Sequence, residues 1–177
     1  NGKALGRNTD VFGFSALLAE HGIQSLKSQS VVVLGAGGAA RSVVAAALAL
    51  GAARVDLVNR TREKAVALAK FFGGPVHDAA WSELPSLLAR AGLAVNTTSL
   101  GMVGEPPLNI DLAPLPAHGA VVDIVYRPLE TALLAQARAR GLKAIDGLGM
   151  LLHQARPGFA AWFGVEPTVT PALRAHL

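Results

Sequence analysis

The 177-residue sequence predicts an α/β protein: a doubly wound parallel sheet with helices on both faces and further helices flanking it at each end. Three observations carry that expectation. Short β-branched apolar runs alternate repeatedly with longer helical patterns, which is the signature of strand–helix–strand units. The first such run, Ser30–Leu34, is continuously apolar from Val31 onward, as a strand buried on both faces must be. It ends in a glycine cluster that opens directly into an alanine-rich helical segment.

Taken in order, Asp10–Glu20 reads as a helix with Phe12, Phe14, Leu17 and Leu18 apolar and Gly22 placed to stop it. Ser30–Leu34 is the first strand, followed by Gly35-Ala36-Gly37-Gly38-Ala39-Ala40 and a helix to about Leu50 that Gly51 closes. Arg54–Val58 is the second strand, and Asp56 inside it reads as an exposed strand residue. A helix over Glu63–Phe72 is closed by Gly73-Gly74. Val76 suits a short third strand, Trp81–Arg90 a third helix and Leu93–Val95 a fourth strand. The stretch Gly101–Gly119, with Pro106, Pro107, Pro114 and Pro116, has little periodicity and reads as a surface loop. Ala120–Val125 is a fifth strand, Thr131–Arg140 a helix and Lys143–Ile145 a sixth strand. Gly147–Phe163 is a long helical stretch with Pro157-Gly158 as its candidate break, and Pro171–Leu177 a last short helix. The sheet-forming unit is therefore expected over 25–146, with 1–24 as a hinge helix and 147–177 packing back on that hinge.

Composition narrows the function classes. Apolar residues make up 51% and charged residues 16%, which excludes a disordered chain. The net charge of +4 is spread from Arg7 to Arg174 with no dense run, so a solvated surface is the reading and a nucleic-acid partner is not expected. With no cysteine there is no disulfide scaffold, no thiolate metal site and no thiol catalysis, which fits a reducing, cytoplasmic setting. Val31–Leu50 is apolar, but Gly35, Gly37, Gly38 and Arg41 interrupt it and its pattern changes midway, so no membrane span is expected. The chain opens on Asn1-Gly2-Lys3 with no signal-peptide pattern and no initiator Met, which suggests a piece of a longer protein. His21, His77, His118, His153 and His176 show no ligand spacing, so no metal is expected. His153 neighbours Gln154, and adjacent helical residues point about 100° apart, so the two are not expected to face one cleft.

The strongest local chemical signal is Gly35-x-Gly37-x-x-Ala40 between a buried strand and a helix. Gly35 permits the tight turn, Gly37 lets the backbone approach a pyrophosphate, and small Ala40 allows close helix–strand packing. The helix start adds free N–H groups and the positive end of its dipole. At the end of the second strand, an NAD site would place an acidic residue to hold the ribose hydroxyls. Here Asn59-Arg60-Thr61 stand instead, with Arg62 and Lys64 following, a cationic group suited to a 2′-phosphate. Cationic residues in a first helical turn oppose the helix dipole, which sets this reading above a merely solvated helix start. Asn96-Thr97-Thr98 end the fourth strand, where a cofactor contact or a loop cap are both open.

Six motifs occur in order: Asn8-Thr9-Asp10, Gly35–Ala40, Asn59-Arg60-Thr61, Asn96-Thr97-Thr98-Ser99, Asp123-Ile124-Val125-Tyr126 and Asp146–Gln154. Together they resemble the shikimate dehydrogenases, and the resemblance runs the length of the chain. It implies a Rossmann-type fold, NADP as cofactor, and interconversion of 3-dehydroshikimate and shikimate. Members of that family carry an N-terminal α/β domain with most substrate contacts and a catalytic lysine. None of Lys3, Lys27, Lys64, Lys70 and Lys143 sits in that domain's motif, so the chain resembles the cofactor-binding domain with its hinge helices, and the chain alone is expected to bind NADP but to catalyse little.

The resemblance implies that Asp10 is the active-site aspartate that pairs with the lysine and binds substrate hydroxyls, with Asn8 and Thr9 orienting it. Hydride transfer to a ketone builds alkoxide charge, so an acid–base pair must deliver and recover a proton. Tyr126 and Gln154 resemble the family's substrate contacts on this side of the cleft, and Val125, Gly147 and Met150 fall where the family lines the nicotinamide. Gly35, Ala36, Gly37, Gly38 and Ala39 then hold the pyrophosphate. Asn59, Arg60, Thr61 and Lys64 hold the adenosine 2′-phosphate, and Asn96, Thr97 and Thr98 contact the cofactor at the crevice. A quinate-specific paralogue and a non-catalytic NADP-binding module are the alternatives, and a homodimer stays open.

Overall fold

In the computed structural model, which describes Gly2 and residues 6–176, six strands form one all-parallel sheet in the order β3-β2-β1-β4-β5-β6. The strands are β1 (Ser30–Leu34), β2 (Arg54–Val58), β3 (Val76–Ala79), β4 (Ala91–Asn96), β5 (Ala120–Asp123) and β6 (Lys143–Ile145). The helices are α1 (Asp10–Glu20), α2 (Gly38–Ala49), α3 (Arg62–Phe72), α4 (Leu84–Leu88), α5 (Ala132–Ala139), α6 (Leu148–Phe163) and α7 (Pro171–Ala175).

Because side chains alternate along a strand, β1 sends Val31 and Val33 to one face and Val32 and Leu34 to the other. The first face packs on Phe14, Leu17 and Leu18 of α1, Val43 and Val44 of α2, Leu68 of α3 and Met150 of α6. The second packs on Leu84, Leu87 and Leu88 of α4 and Leu133 and Leu134 of α5. Leu108, Leu112 and Leu115 join that second core, so the stretch 101–119 is a loop as expected but not merely a surface one. The Arg140 guanidinium ties it down by donating to the carbonyls of Leu112 and Leu115. The strand order reverses between β1 and β4, so a crevice opens at their carboxyl ends, where open α/β sheets place ligands.

The fold corrects several sequence expectations. Asp56 is not an exposed strand residue: it is fully buried on the second sheet face. Arg54, two residues earlier and therefore on the same face, reaches Asp56 with Nε 2.9 Å from both carboxylate oxygens, and Arg90 approaches Oδ2 at 3.4 Å. These guanidinium groups replace the water the carboxylate loses, and hydrogen bonding to Asp56 in turn holds the Arg54 pKa above its usual value. The segment Trp81–Arg90 divides into a 3₁₀ turn at Trp81–Glu83 and the short helix α4. Strand β5 stops at Asp123, which leaves Ile124–Tyr126 as irregular chain. Helix α6 runs through Pro157-Gly158 without a break.

Helices α1 and α6 pack against each other at close range because neither carries bulk where they meet. A Cβ on Gly13 would lie 2.7 Å from the Met150 carbonyl oxygen, and one on Gly149 would lie 2.5 Å from Leu17 Cδ1. No helix among the described residues is long and apolar enough to cross a membrane.

Candidate functional site

The turn after β1 is built around Gly35. Its φ of +111° suits glycine, its N–H donates to the Val58 carbonyl at 2.8 Å, and a Cβ there would lie 2.5 Å from Thr97 Oγ1. The Leu34 carbonyl accepts from both the N–H (2.8 Å) and the hydroxyl (2.7 Å) of Thr97, which locks the ends of β1 and β4 together. Gly37 and Gly38 behave differently, since a Cβ on either would meet nothing within 4 Å. Open space therefore lies over the loop. Gly37 caps the twelve-residue helix α2 with no side-chain hydrogen bond, so the first N–H groups of that helix remain available to an anion. Ala40 is fully buried behind them, and Ala36 and Ala39 are half-buried.

Beside this turn lies a cleft of about 500 Å³. Gly35, Val58, Asn59 and Arg60 form one side, Thr98, Ser99, Leu100 and Glu105 another, and Trp81 reaches it from the turn after β3. Asn59 Nδ2 donates to the Thr61 carbonyl at 2.7 Å, which shapes the entry into α3. Arg62 is engaged with Asp78 at 3.0 Å, whereas Arg60 and Lys64 are exposed and pair with no carboxylate among the described residues. Thr61 and Lys64 stand at the α3 start, outside the cleft lining. A second cleft of about 410 Å³ adjoins the first through Thr98 and Ser99, and continues along Val125, Tyr126 and Arg127 to Met102 and Val103.

A buried polar network fixes the wall between the clefts. Asp123 is fully buried and accepts from Asn96 Nδ2 (2.9 Å), Thr131 Oγ1 (2.7 Å) and the Val125 N–H (3.1 Å). Burial pushes its carboxyl pKa up, and the donors from Thr131, Val125 and Asn96 oppose that shift. Asn96 Oδ1 accepts in turn from the N–H and hydroxyl of Thr98, at 3.0 and 2.7 Å. Asn96 and Thr97 thus direct their polar atoms into the fold, and Thr98 is the member of that motif that lines both clefts.

At the α1–α6 junction, Asn8 Oδ1 accepts from the Asp10 N–H at 2.8 Å while its Nδ2 donates to Ser42 Oγ at 3.1 Å. Thr9 Oγ1 donates to Gln154 Oε1 at 3.2 Å. The half-buried Asp10 carboxylate has no side-chain hydrogen bond or ion pair among the described residues. His153 turns away from Gln154, as helical geometry requires, with Nε2 3.0 Å from Glu20 Oε2. Gly147 donates to the Val125 carbonyl at 3.1 Å, and a Cβ there would lie 2.0 Å from the Ile124 oxygen. Met150 is buried near this contact on α6. Of the sequence-assigned residues, the structure brings eight together in three groups. Gly35, Asn59, Arg60 and Thr98 share the first cleft, Thr98, Val125 and Tyr126 share the second, and Thr9 and Gln154 bridge α1 and α6.

Trp81, Glu105, Met102, Val103 and Arg127 were not singled out from sequence, although they line the clefts. One signal could have found Trp81: it stands two residues past the carboxyl end of β3, on the edge of the sheet where ligands bind. Among the described residues there is no group of three or more His, Asp or Glu side chains able to hold a metal ion.

A strand order that reverses at a glycine turn, with a basic strand end beside it, defines the class of Rossmann-type dinucleotide-binding domains. Residues 17–102 match the family described as shikimate/quinate 5-dehydrogenase. The whole chain is 56% identical to the shikimate dehydrogenase (NADP(+)) of Methylobacterium radiotolerans and covers 64% of that protein. It is 55% identical to the Rhodopseudomonas palustris protein of the same name, over 95% of this chain and 60% of the relative. Its fold superposes on the Aquifex aeolicus shikimate dehydrogenase with a TM-score of 0.84 at 40% identity, covering 99% of this chain and 62% of that one. The Thermus thermophilus shikimate 5-dehydrogenase in complex with NADP(H) and shikimate gives 0.81 at 38% identity, covering 97% and 61%. Over its whole length the chain is similar to members of the shikimate/quinate dehydrogenase family. It spans about 60 to 64% of the length of these relatives.

Proposed function

We propose that the chain is the NADP-binding part of a shikimate dehydrogenase, which interconverts 3-dehydroshikimate and shikimate. The observation that carries this reading is the open cradle over Gly37 and Gly38, beside a cleft that contains Arg60. A pyrophosphate fits the first and a 2′-phosphate the second, and no carboxylate stands at the end of β2 to prefer an unphosphorylated ribose.

In this reading the cofactor supplies the hydride. Gly35, Ala36, Gly37, Gly38 and Ala39 carry the pyrophosphate with the α2 N–H groups, while Asn59, Arg60, Thr61 and Lys64 surround the 2′-phosphate. Asn96 and Thr97 hold the β4 turn, Thr98 faces the cofactor, and Val125, Gly147 and Met150 bound the nicotinamide end. Asp10 holds or releases a proton at the substrate hydroxyl, and its unengaged carboxylate suits that task. Asn8 fixes the Asp10 backbone, Thr9 sets the Gln154 amide, and Gln154 and Tyr126 receive the substrate. Since the chain covers 64% of its Methylobacterium relative, the remaining substrate contacts are assigned to the rest of such a protein, and this chain alone is expected to show no turnover of shikimate.

The 56% identity to a shikimate dehydrogenase favours shikimate over quinate, against 34% to the quinate dehydrogenase of Corynebacterium glutamicum. The test uses Gly37→Val. Gly37 has φ −91° and ψ −162°, extended backbone that does not require glycine, and its Cβ would meet no protein atom within 4 Å. The variant should keep the wild-type fold by circular dichroism and lose calorimetric NADP⁺ binding. Undiminished NADP⁺ binding by a folded Gly37→Val protein would overturn the assignment.

A further inference from the structure

We infer that Trp81 is the adenine-stacking residue of the first cleft, an inference that rests on the NADP reading above. Trp81 belongs to neither hydrophobic core, is 43% exposed, and among the described residues has no aromatic or cationic partner. It nonetheless lines the cleft that holds Arg60, together with Thr98 and Leu100.

The turn that carries it is held firmly. The Ala80 N–H donates to Glu83 Oε2 at 2.7 Å, Ser86 Oγ donates to the Glu83 carbonyl at 2.7 Å, and Leu84 is buried immediately after. An indole fixed at the rim of a cleft by its own backbone presents a large flat face at little entropic cost, which is what a stacking platform needs. The topology agrees. β3 lies outside β2 in the sheet, so Trp81 stands beyond Arg60 as one moves outward from the glycine turn. With the pyrophosphate at Gly37 and the 2′-phosphate at Arg60, the adenine is the remaining part of that half of the cofactor. A flat base needs an apolar face, and Val58 and Trp81 supply apolar surface there.

The assignment separates two kinds of recognition. Arg60 reads the 2′-phosphate, so its loss penalises phosphorylated ligands alone. Trp81 reads the base, so Trp81→Ala should weaken NADP⁺, NAD⁺ and adenosine 2′,5′-bisphosphate by a similar factor of about tenfold, the scale of one base–aromatic stack. Trp81→Phe should recover most of that loss.

The sequence contains two tryptophans, Trp81 and Trp162, and Trp162 is 80% exposed on α6, so Trp162→Phe leaves Trp81 as a single reporter. In that protein, adenosine 2′,5′-bisphosphate should change the Trp81 emission with the same midpoint as the heat of binding, while nicotinamide mononucleotide should leave it unchanged. Calorimetric NADP⁺ binding with unaltered Trp81 emission and wild-type affinity in Trp81→Ala would overturn this inference and leave the cofactor reading standing. Absence of any heat with NADP⁺ would overturn the cofactor reading, and this inference with it.

Discussion

Asp123 offers the sharpest test of how the cleft wall is built. Its carboxylate is fully buried and receives the Asn96 amide, the Thr131 hydroxyl and the Val125 N–H. Asp123→Ala removes the acceptor of all three donors at once. At about 1 kcal/mol net per bond, and more where a donor stays buried without a partner, the loss comes to about 3 to 4 kcal/mol. Asp123→Asn keeps the shape, and its Oδ1 can still serve Asn96 and Val125. Only the Thr131 hydroxyl must turn to accept from the new amide, so about 1 kcal/mol or less should be lost.

The pH dependence has a definite sign. Burial raises the folded-state pKa of Asp123 above the ordinary 3.8, so the folded protein binds this proton more tightly than the unfolded chain. The resulting stability is fully present below the ordinary value and is lost as pH climbs through the raised one. Asp123→Asn lacks that loss, so relative to wild type it should fare better at pH 7 than at pH 4. Urea denaturation of the three proteins at several pH values measures this, with an unchanged slope confirming comparable transitions. An Asp123→Ala protein within about 1 kcal/mol of wild type, or an Asp123→Asn protein as unstable as Asp123→Ala, would mean that this network does not hold the cleft wall.

Two further outcomes follow from packing and charge. Gly13→Ala places a Cβ 2.7 Å from the Met150 carbonyl and 2.8 Å from Gln154 Cβ, so α1 must move off α6. A loss of about 2 kcal/mol and faster amide exchange over Asp10–Glu20 are expected in hydrogen-exchange measurements. Asp56→Ala leaves Arg54 and Arg90 without their carboxylate, but their side chains are 38% and 47% exposed and can turn to water, so thermal denaturation should show a loss of only about 1 to 3 kcal/mol.

Much of this architecture was legible because its signals are local. The uninterrupted apolar run at Ser30–Leu34 can only be a central strand, and the small residues behind Gly35 can only pack closely. The α1, β2 and β6 limits were equally readable, because glycines and turns sit at or near their ends. What escaped depends on contacts distant in sequence. Asp56 reads as a polar strand residue until Arg90, from the turn before β4, is brought beside it. Trp81 reads as the start of a helix until the β3–β2–β1 order sets it at the rim of a cleft shared with Arg60. In the Asn96-Thr97-Thr98 motif, sequence could not divide the residues between ligand and fold. In the fold the Asn96 amide donates to the buried Asp123 and the Thr97 hydroxyl to the Leu34 carbonyl, contacts that lie far apart in sequence. Pro157 signals a break in isolation, yet α6 continues for another turn beyond it.

On this reading the cleft beside Asn59-Arg60-Thr61 selects the phosphorylated dinucleotide. Parallel calorimetric titrations of wild type and Arg60→Ala with NADP⁺ and NAD⁺ at low salt test it most directly. Wild type should prefer NADP⁺, and Arg60→Ala should lose about tenfold or more of NADP⁺ affinity while its NAD⁺ affinity is unchanged. Equal wild-type binding of the two dinucleotides, or an Arg60→Ala protein that still prefers NADP⁺ to the same degree, would contradict it.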